Sequence, residues 1–397
     1  VKLELGGKGA AVVFDDVDVP EAAQKLVEAI TFHTGQVCCD ATRWLVQKPV
    51  YDEFVNEVSE RMQKVVIGYP SDEGSAMGPV VSEKQKDRVL GYLEKGIGEG
   101  AEVVLEGGAA EVEGRPDGYY VKPALLAGSL DNVAAREEIF GPVLVGTTFR
   151  TPAEAVALAN NTRYGLAASI WTENINLALD IAPKVICGVA WINSTNQFDA
   201  AAGFGGRRES GFGREGGREG LFAYTRSKNA PTNILNKVKA LSGKTEPADT
   251  EIDRTAKLFI GGKQTRPDSG YSSPVFSSEG KLLGQVGQGN RKDIRNAVEA
   301  ATSAKGWGKS TAHLRAQILY YLGENLSARK NEFAERIVSM TGCELETSEL
   351  EVNSSIDRLF TYAAWADKYD GAAHGVPIRG VALAMNEPVG VIGIICP

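Results

Sequence analysis

Helix-like and strand-like stretches alternate along the first half of the chain, and this alternation restricts the fold more than any other feature. Apolar residues at helical spacing predict helices over 20–32, 51–66, 82–99, 152–160 and 175–181. Short apolar or β-branched runs between them predict strands over 43–46, 102–105, 166–171 and 189–192. Strands that alternate with helices of this length are typical of an α/β domain with a largely parallel sheet.

The second half of the chain is organised differently. A glycine-rich loop over 198–220 ends the first domain, which we place at residues 1–229. Residues 230–254 are polar, contain two prolines and show no sustained periodicity, which predicts a linker. A second unit over 255–397 then begins with a hairpin at 258–263 and a strand region near 274–286. Helical spacing in this unit predicts helices over 291–304, 311–328, 331–340 and 349–368.

The two ends of the sequence favour a piece of a longer protein. The first residue is Val1 rather than an initiator Met, and the last ten residues contain the apolar run 389–395, which predicts a buried strand. A strand that ends at the last residue leads into no further element. We therefore expect a longer parent protein.

Composition excludes several classes of protein. The 43 Lys and Arg residues against 51 Asp and Glu give a net charge of −8 with no basic run, which argues against nucleic-acid binding. No apolar run approaches the roughly 18 to 20 residues that cross a membrane, and no signal peptide is visible, so we expect a cytoplasmic protein. Five cysteines and three histidines, without metal-ligand spacing, predict free thiols and no metal site.

Two residues near the start could carry chemistry. Cys38 follows a predicted helix and a glycine, where a thiol can be partly open and reactive, although a cysteine in such a place is also a common core residue. Glu4 stands between two leucines and before two glycines. This carboxylate is either a buried general base or a strand-end surface acid, and the residues alone leave both readings open.

Taken together, these residues and several ordered motifs resemble the aldehyde dehydrogenase family. Glu4 and Cys38 are 34 residues apart, as are the general base and the catalytic cysteine of that family. Four further motifs match the family in the same order, namely 136–143, 157–167, 191–193 and 205–216. The resemblance implies an α/β aldehyde-dehydrogenase-like catalytic domain with a parallel sheet.

The resemblance also implies a reaction. Cys38 would attack an aldehyde to give a thiohemiacetal, hydride would pass to NAD or NADP, and Glu4 would activate the water that hydrolyses the thioester to a carboxylic acid. Glu138 would bind the nicotinamide ribose, and Phe140 would contact the nicotinamide. The family resemblance further implies a small-molecule aldehyde as substrate and a homo-oligomer.

Substrate contacts and the second unit are implied in the same way. Asn193 and Phe204 match family positions near the substrate tunnel. Residues 257–263 and 387–393, with the helix between them, resemble the family's amino-terminal arm and first dinucleotide-domain strand. The order therefore resembles two-unit aldehyde dehydrogenases: the back of one unit, a linker, and part of a second. The stretch with the oxyanion Asn and the adenosine-ribose Lys falls in neither half, so we expect the isolated chain to be inactive.

Departures from the family pattern keep alternatives open. Asp40 occupies a position that is usually small, and a carboxylate two residues from Cys38 would raise the pKa of the thiol if it faced the sulfur. A non-catalytic structural or interaction module is the alternative from another class, but such a module needs neither Cys38 nor Glu4. A thiol esterase needs both but no nicotinamide, and Glu138 and Phe140 count against it.

Overall fold

The computed structural model describes residues 2–225, 255–369, 371–376 and 380–395. The linker predicted at 230–254 lies outside these residues. Contacts divide the chain into two compact units, which are described separately: 1–230 with 374–382, and 231–373 with 383–397. In the described parts of the chain, no helix is long and apolar enough to span a membrane.

Among its described residues, the first unit contains eleven short strands and seven α-helices. The strands are β1 Leu3–Glu4, β2 Gly9–Val13, β3 Ala41–Gln47, β4 Glu102–Leu105, β5 Gly108–Ala109, β6 Val121–Lys122, β7 Ala124–Ala127, β8 Val143–Phe149, β9 Ala167–Trp171, β10 Val189–Ile192 and β11 Gly211–Phe212. The helices are α1 Val19–Thr31, α2 Tyr51–Gln63, α3 Glu83–Gly98, α4 Val133–Arg136, α5 Pro152–Asn160, α6 Ile175–Ile181 and α7 Gly217–Phe222.

A seven-stranded sheet forms the centre of this unit, in the order β10-β9-β2-β3-β8-β7-β4. Every pairing in it is parallel except that of β4 with β7. Alternate residues of β2 enter different cores: Val12 packs with residues of α3 and α5, whereas Val13 packs with residues of α1 and α2. Helices therefore cover both faces of the sheet, and the parallel α/β fold that the sequence predicts is confirmed.

Caps at the helix starts explain several boundaries. Asp18 accepts a hydrogen bond from the Glu21 N–H at 3.0 Å and begins α1, and Ser82 accepts one from the Gln85 N–H at 3.3 Å and begins α3. The sequence analysis did not identify β2, β7 or β8. Each of these strands is a short apolar run that is buried on both faces, so it lacks the alternation that marks a half-buried strand.

The second unit is mostly helical. Its strands are β12 Leu258–Ile260, β13 Lys263–Thr265, β14 Ser272–Phe276, β15 Leu282–Gly287, β16 Ala372–His374 and β17 Ala382–Ala384. Its helices are α8 Arg291–Ser303, α9 Lys305–Lys309, α10 Ala312–Ala328, α11 Lys330–Thr341 and α12 Leu345–Trp365. The pairs β12-β13 and β14-β15 are antiparallel hairpins.

The prediction of a strand over 389–395 is wrong. These residues have no strand structure, and Val389 and Ile395 are 91% and 98% exposed. An apolar run becomes a strand only where a neighbouring strand satisfies its backbone N–H and C=O groups. Among the described residues no strand is paired with this run.

Candidate active site

Three loops meet at one edge of the parallel sheet. Glu4 and the two glycines after it precede β2, Cys38 precedes β3, and the segment that contains Glu138 precedes β8. Because β2, β3 and β8 are adjacent and parallel, their amino ends lie side by side. Residues that are distant in the sequence are thereby brought together.

Cys38 and Cys39 form the tip of a tight turn. The turn is closed by a hydrogen bond of 3.1 Å from the Asp40 N–H to the Val37 carbonyl. A side chain at Gly7 would collide with the Cys38 carbonyl. Glycine is therefore required at position 7 because the Cys38 backbone passes against it.

The Cys38 thiol faces a carboxylate. Sγ of Cys38 donates to Oε1 of Glu4 at 3.6 Å. Glu4 is held in place by the pairing of β1 with β11, in which it lies opposite Gly211. A hydrogen bond from the Cys39 thiol lowers the pKa of Cys38, while burial and the charge of Glu4 oppose this shift. The same interaction raises the pKa of Cys39. Cys38 is thus a half-buried thiol with a base in reach.

The Glu138 carboxylate is fixed against the same glycines. Oε1 of Glu138 accepts a hydrogen bond from the Gly7 N–H at 2.9 Å. A side chain at Gly6 would collide with this carboxylate. Gly6 and Gly7 therefore let a carboxylate and the backbone of Cys38 approach the same short segment from two directions.

Two residues of α3 shape the segment after Glu138, and the sequence analysis did not identify them. Gln85 donates to the Phe140 carbonyl at 2.7 Å, and Arg88 donates to the Glu138 carbonyl at 2.5 Å. These bonds hold Phe140 at a φ of 62°, in the left-handed region. The i, i+3 spacing of Gln85 and Arg88 indicates a shared helix face, but no sequence signal says which loop that face meets.

An open groove of about 600 Å³ runs beside this segment. It is lined by polar and charged side chains and one aromatic ring: Ser82, Lys84, Gln85, Asp87, Arg88, Glu138 and Phe140. A carboxylate that accepts from ribose hydroxyls and a ring that packs on a nicotinamide are groups suited to that half of a dinucleotide. The residues present therefore fit the nicotinamide ribose end of NAD or NADP.

Aromatic side chains lie on the other side of the thiol. Phe204 packs in one cluster with Cys38, Cys39 and Trp191. Phe198 bridges the rings, with centroids 5.9 Å from Trp191 and 4.9 Å from Phe204. An apolar surface therefore adjoins the Cys38 thiol.

Asn193 is placed elsewhere. It follows β10 at the carboxyl end of that strand, whereas the candidate nucleophile lies at the amino ends. Its amide oxygen accepts from the Thr172 N–H at 2.9 Å, and its amide nitrogen donates to the Thr172 carbonyl at 2.8 Å. The structure thus groups Cys38, Glu4, Glu138, Phe140 and Phe204, while the Asn193 side chain joins two strand ends.

The fold and this site combine a parallel α/β sheet with a thiol that faces a carboxylate beside a polar groove. The model of the family described as "Aldehyde dehydrogenase family" matches residues 1–230 and 265–397. The chain belongs to the aldehyde dehydrogenase family.

Curated relatives match a little more than half of the chain. The chain is 40% identical over 229 residues to the betaine aldehyde dehydrogenase of Brucella anthropi, which covers 57% of this chain and 47% of that protein. It is 41% identical over 231 residues to the 2-hydroxymuconic semialdehyde dehydrogenase of a Pseudomonas species, covering 58% and 48%. The chain therefore spans about half the length of the curated relatives that it matches.

Solved structures agree with the fold. A Bacillus cereus aldehyde dehydrogenase mutant superposes with a TM-score of 0.55 at 40% identity, covering 57% of this chain and 45% of that chain. A Staphylococcus aureus betaine aldehyde dehydrogenase in complex with NAD+ gives a TM-score of 0.56 at 34% identity, covering 60% and 48%. The aldehyde-dehydrogenase-like fold of the first unit is therefore confirmed.

Proposed function

We propose that this protein oxidises an aldehyde to a carboxylic acid with NAD or NADP, as part of a longer parent protein. The single observation that carries the proposal is the approach of the Cys38 thiol to the Glu4 carboxylate, 3.6 Å apart, beside the groove that contains Glu138. Membership of the family supports it, and relatives of this chain are named as aldehyde dehydrogenases.

Cys38 and Glu4 act one after the other. Cys38, as thiolate, attacks the aldehyde carbon to give a thiohemiacetal, and its own backbone N–H donates to the oxyanion. Bound NAD or NADP supplies the hydride acceptor that turns the thiohemiacetal into a thioester. Glu4 then takes a proton from the water that hydrolyses the thioester and frees Cys38.

The surrounding side chains bind and orient. Glu138, fixed by the Gly7 N–H, accepts from the ribose hydroxyls, and Phe140 packs against the nicotinamide. The aldehyde lies against Phe204 and its aromatic neighbours, which favours a substrate with an apolar body. Asn193 is left out of these substrate contacts, because its amide bonds to Thr172 at the carboxyl ends of the strands.

We also propose the wider setting. Residues 230–254 link the first unit to a partial second unit with the arm and helices of a two-unit aldehyde dehydrogenase, which the family match to residues 265–397 supports. The protein acts as a cytoplasmic homo-oligomer on a small-molecule aldehyde, apart from membranes and nucleic acid. The net charge of −8 without a basic run supports the last point.

Alkylation with iodoacetamide tests the nucleophile in the 397-residue chain. Cys38 and Cys343 are both half-buried, so Cys343 is a control of similar exposure. We expect Cys38 to be labelled about tenfold faster at pH 7, because its lowered pKa increases the thiolate fraction. Peptide mass spectrometry reads each site. Equal rates would remove the main support for catalysis.

A substitution in the longer parent separates the two chemical steps. Glu4→Gln removes the base for hydrolysis but leaves the thiol, so we expect a burst of NADH followed by slow turnover. Cys38→Ser is the matched variant, in which neither burst nor turnover remains. Loss of the burst in Glu4→Gln would show that Glu4 is needed to activate Cys38 instead.

A further inference from the structure

A buried carboxylate ties the loop after β10 to the turn that carries Cys38. Asp40 is 3% exposed and stands directly before β3. Its Oδ1 accepts a hydrogen bond of 2.6 Å from Nδ2 of Asn196, and among the described residues its Oδ2 is buried without a partner. A buried carboxylate with an unsatisfied oxygen destabilises a fold, so its bond to Asn196 calls for a role other than stability.

The side chain of Asn196 bonds to two consecutive residues of that turn. Its amide nitrogen donates to Asp40, and its amide oxygen accepts from Sγ of Cys39 at 3.3 Å. The backbone of Asn196 has a φ of 53°, a left-handed conformation that asparagine tolerates better than most residues. One side chain therefore fixes the middle of the loop over 193–198 against the turn.

The same loop places an aromatic ring beside the thiol. Phe198 follows Asn196 by two residues, and its ring lies edge-to-face on that of Phe204, with centroids 4.9 Å apart. Phe204 in turn packs in one cluster with Cys38. Between Asn196 and Phe198, the Gln197 carbonyl accepts from Nε1 of Trp191 at 3.0 Å. The loop that carries the ring is therefore tethered by a backbone carbonyl and by the amide of Asn196.

Burial does little to hold Phe198 in place. Its side chain is 51% exposed, so the ring gains only part of the free energy that a buried aromatic side chain gains. A half-exposed ring on a loop depends on the hydrogen bonds that fix its backbone. The tether from Asn196 to Asp40 is such a bond.

We propose that Asn196 and Asp40 are positioning residues for the aldehyde pocket: they hold the loop so that Phe198 and Phe204 form an aromatic wall beside Cys38. The proposal deepens the proposed function and rests on it in taking Cys38 as the nucleophile. An edge-to-face pair accepts a further ring against it, so the substrate class is aldehydes with an aromatic or bulky apolar body.

The test compares two alkylating reagents at Cys38 in the 397-residue chain at pH 8. Iodoacetamide and its N-phenyl derivative, iodoacetanilide, both form a thioether on the sulfur with loss of iodide. Both react with the thiolate, so the ratio of their rates does not depend on the pKa of the thiol and reports what the phenyl ring contacts. The same ratio at Cys343 corrects for the reactivity of the reagents themselves. We expect the corrected ratio at Cys38 to favour iodoacetanilide about fivefold.

Substitutions in the tether should lower this preference. We expect Asn196→Ala to reduce the corrected ratio at Cys38 about threefold. Asp40→Asn keeps the shape but removes the charge, and should reduce it less. It acts from another segment, so a change in the backbone of Asn196 cannot account for its effect. Ser194→Ala is the control in the same loop, because the Ser194 hydroxyl donates only to the nearby Ile192 carbonyl at 3.0 Å, and it should leave the ratio unchanged.

A Phe198→Ala background separates positioning of the ring from general loosening. Phe198→Ala alone should lower the ratio about threefold, and Asn196→Ala should then lower it no further, because the ring that the tether positions is absent. An unchanged ratio in Phe198→Ala, an unchanged ratio in both tether variants, or a further loss in the Phe198→Ala background would each overturn the proposal.

Two further thiols keep the outcomes distinct. Labelling of Cys187 reports folding of the first unit, and if Asn196→Ala speeds it then Asp40→Asn decides alone. Failure of Cys38 to react faster than Cys343 with iodoacetamide in the unchanged chain would instead count against the proposed function.

Discussion

The two units of this chain bury their apolar side chains to very different extents. In the first unit, large clusters of buried residues cover both faces of the seven-stranded sheet. In the second, the buried cluster consists of Ala334, Val352 and Ile356 with partly buried neighbours. Both units contain amphipathic helices, so helix formation alone does not account for the difference.

The difference shows what a sheet adds to a set of helices. Strand β2 is buried along its whole length because α1 and α2 cover one face while α3 and α5 cover the other. Helices α10 and α12 pack on each other but leave large side chains open, with Tyr321 at 68% and Tyr362 at 66% exposure. The first unit therefore has a core of its own, and the second has a narrow seam between helices.

The largest expected contrast comes from matched truncations of isoleucine. Ile170, in β9, is fully buried in the sheet core, and Ile356, in α12, is buried in the helical seam. We expect Ile170→Ala to lower the free energy of unfolding of its unit by about 3 to 4 kcal/mol, and Ile356→Ala by about 1 to 2 kcal/mol. The loss at position 356 is smaller partly because alanine has a higher helix propensity than isoleucine.

Hydrogen exchange in increasing urea, read peptide by peptide, gives the unfolding free energy of each unit separately. Ile170→Val is the control, since removing one methyl group should cost about 1 kcal/mol. Equal losses for the two alanine variants would show that the seam in the second unit is packed as tightly as the sheet core.

Changing the pH should affect the two units in opposite directions. Burial raises the pKa of Asp40 to about 7, above the unfolded value of about 3.9. The folded first unit therefore binds this proton more tightly, and its stability falls as the pH rises from about 4 through 7. In the second unit, ion pairs with Lys292 and Arg329 lower the pKa of Asp268 and Glu332. Their contribution is present at neutral pH and is lost on acidification.

Urea unfolding of each unit from about pH 3 to about pH 8 measures this contrast, because the carboxylates of the second unit titrate below their ordinary values near 4. Asp40→Asn should flatten the loss of stability in the first unit toward pH 8, and Glu332→Gln is the control that should leave that unit unchanged. If Asp40→Asn leaves the pH dependence of the first unit's stability unchanged, then Asp40 is not the buried group that causes it.

The smallest expected contrast concerns exposed ion pairs. Arg163 pairs with Glu137 and Glu209, both at 2.7 Å, and so joins three distant segments of the first unit. Arg329, the residue before α11, pairs with Glu332 in the first turn of that helix. We expect Arg163→Met to cost about 1 kcal/mol and Arg329→Met to cost less, with both effects reduced by salt. Thermal unfolding at low and high salt checks the order, and a larger effect at Arg329 would reverse the comparison.

Local signals were sufficient for much of the fold. Helices α1, α3 and α5 lie close to their predicted ranges because apolar spacing and capping residues such as Asp18 act within one or two turns. Strands β2, β7 and β8 were not identified, since burial on both faces removes the alternation that a sequence can show. The run 389–395 has the apolar composition of a strand but does not form one. A strand needs a partner strand, and a run of residues does not show whether a partner is present.

In the candidate site too, the sequence predicts some features and leaves others to the tertiary structure. The residue types and spacing of Glu4 and Cys38 are enough to nominate a base and a nucleophile, and the structure places them 3.6 Å apart. No local pattern indicates that Gln85 holds the Phe140 loop, or that Asn196 reaches the buried carboxylate of Asp40. Those contacts join segments separated by 55 and 156 residues.

The sequence by itself determined the α/β character of the first unit, its helix starts and the chemistry of its candidate nucleophile, because these depend on periodicity, capping and residue type. Tertiary structure decided which strand ends meet and which face of α3 supports the Glu138 segment. Each of these depends on the parallel order of β2, β3 and β8, which places their amino ends at one edge. Strand order is set by long-range packing rather than by any local run of residues.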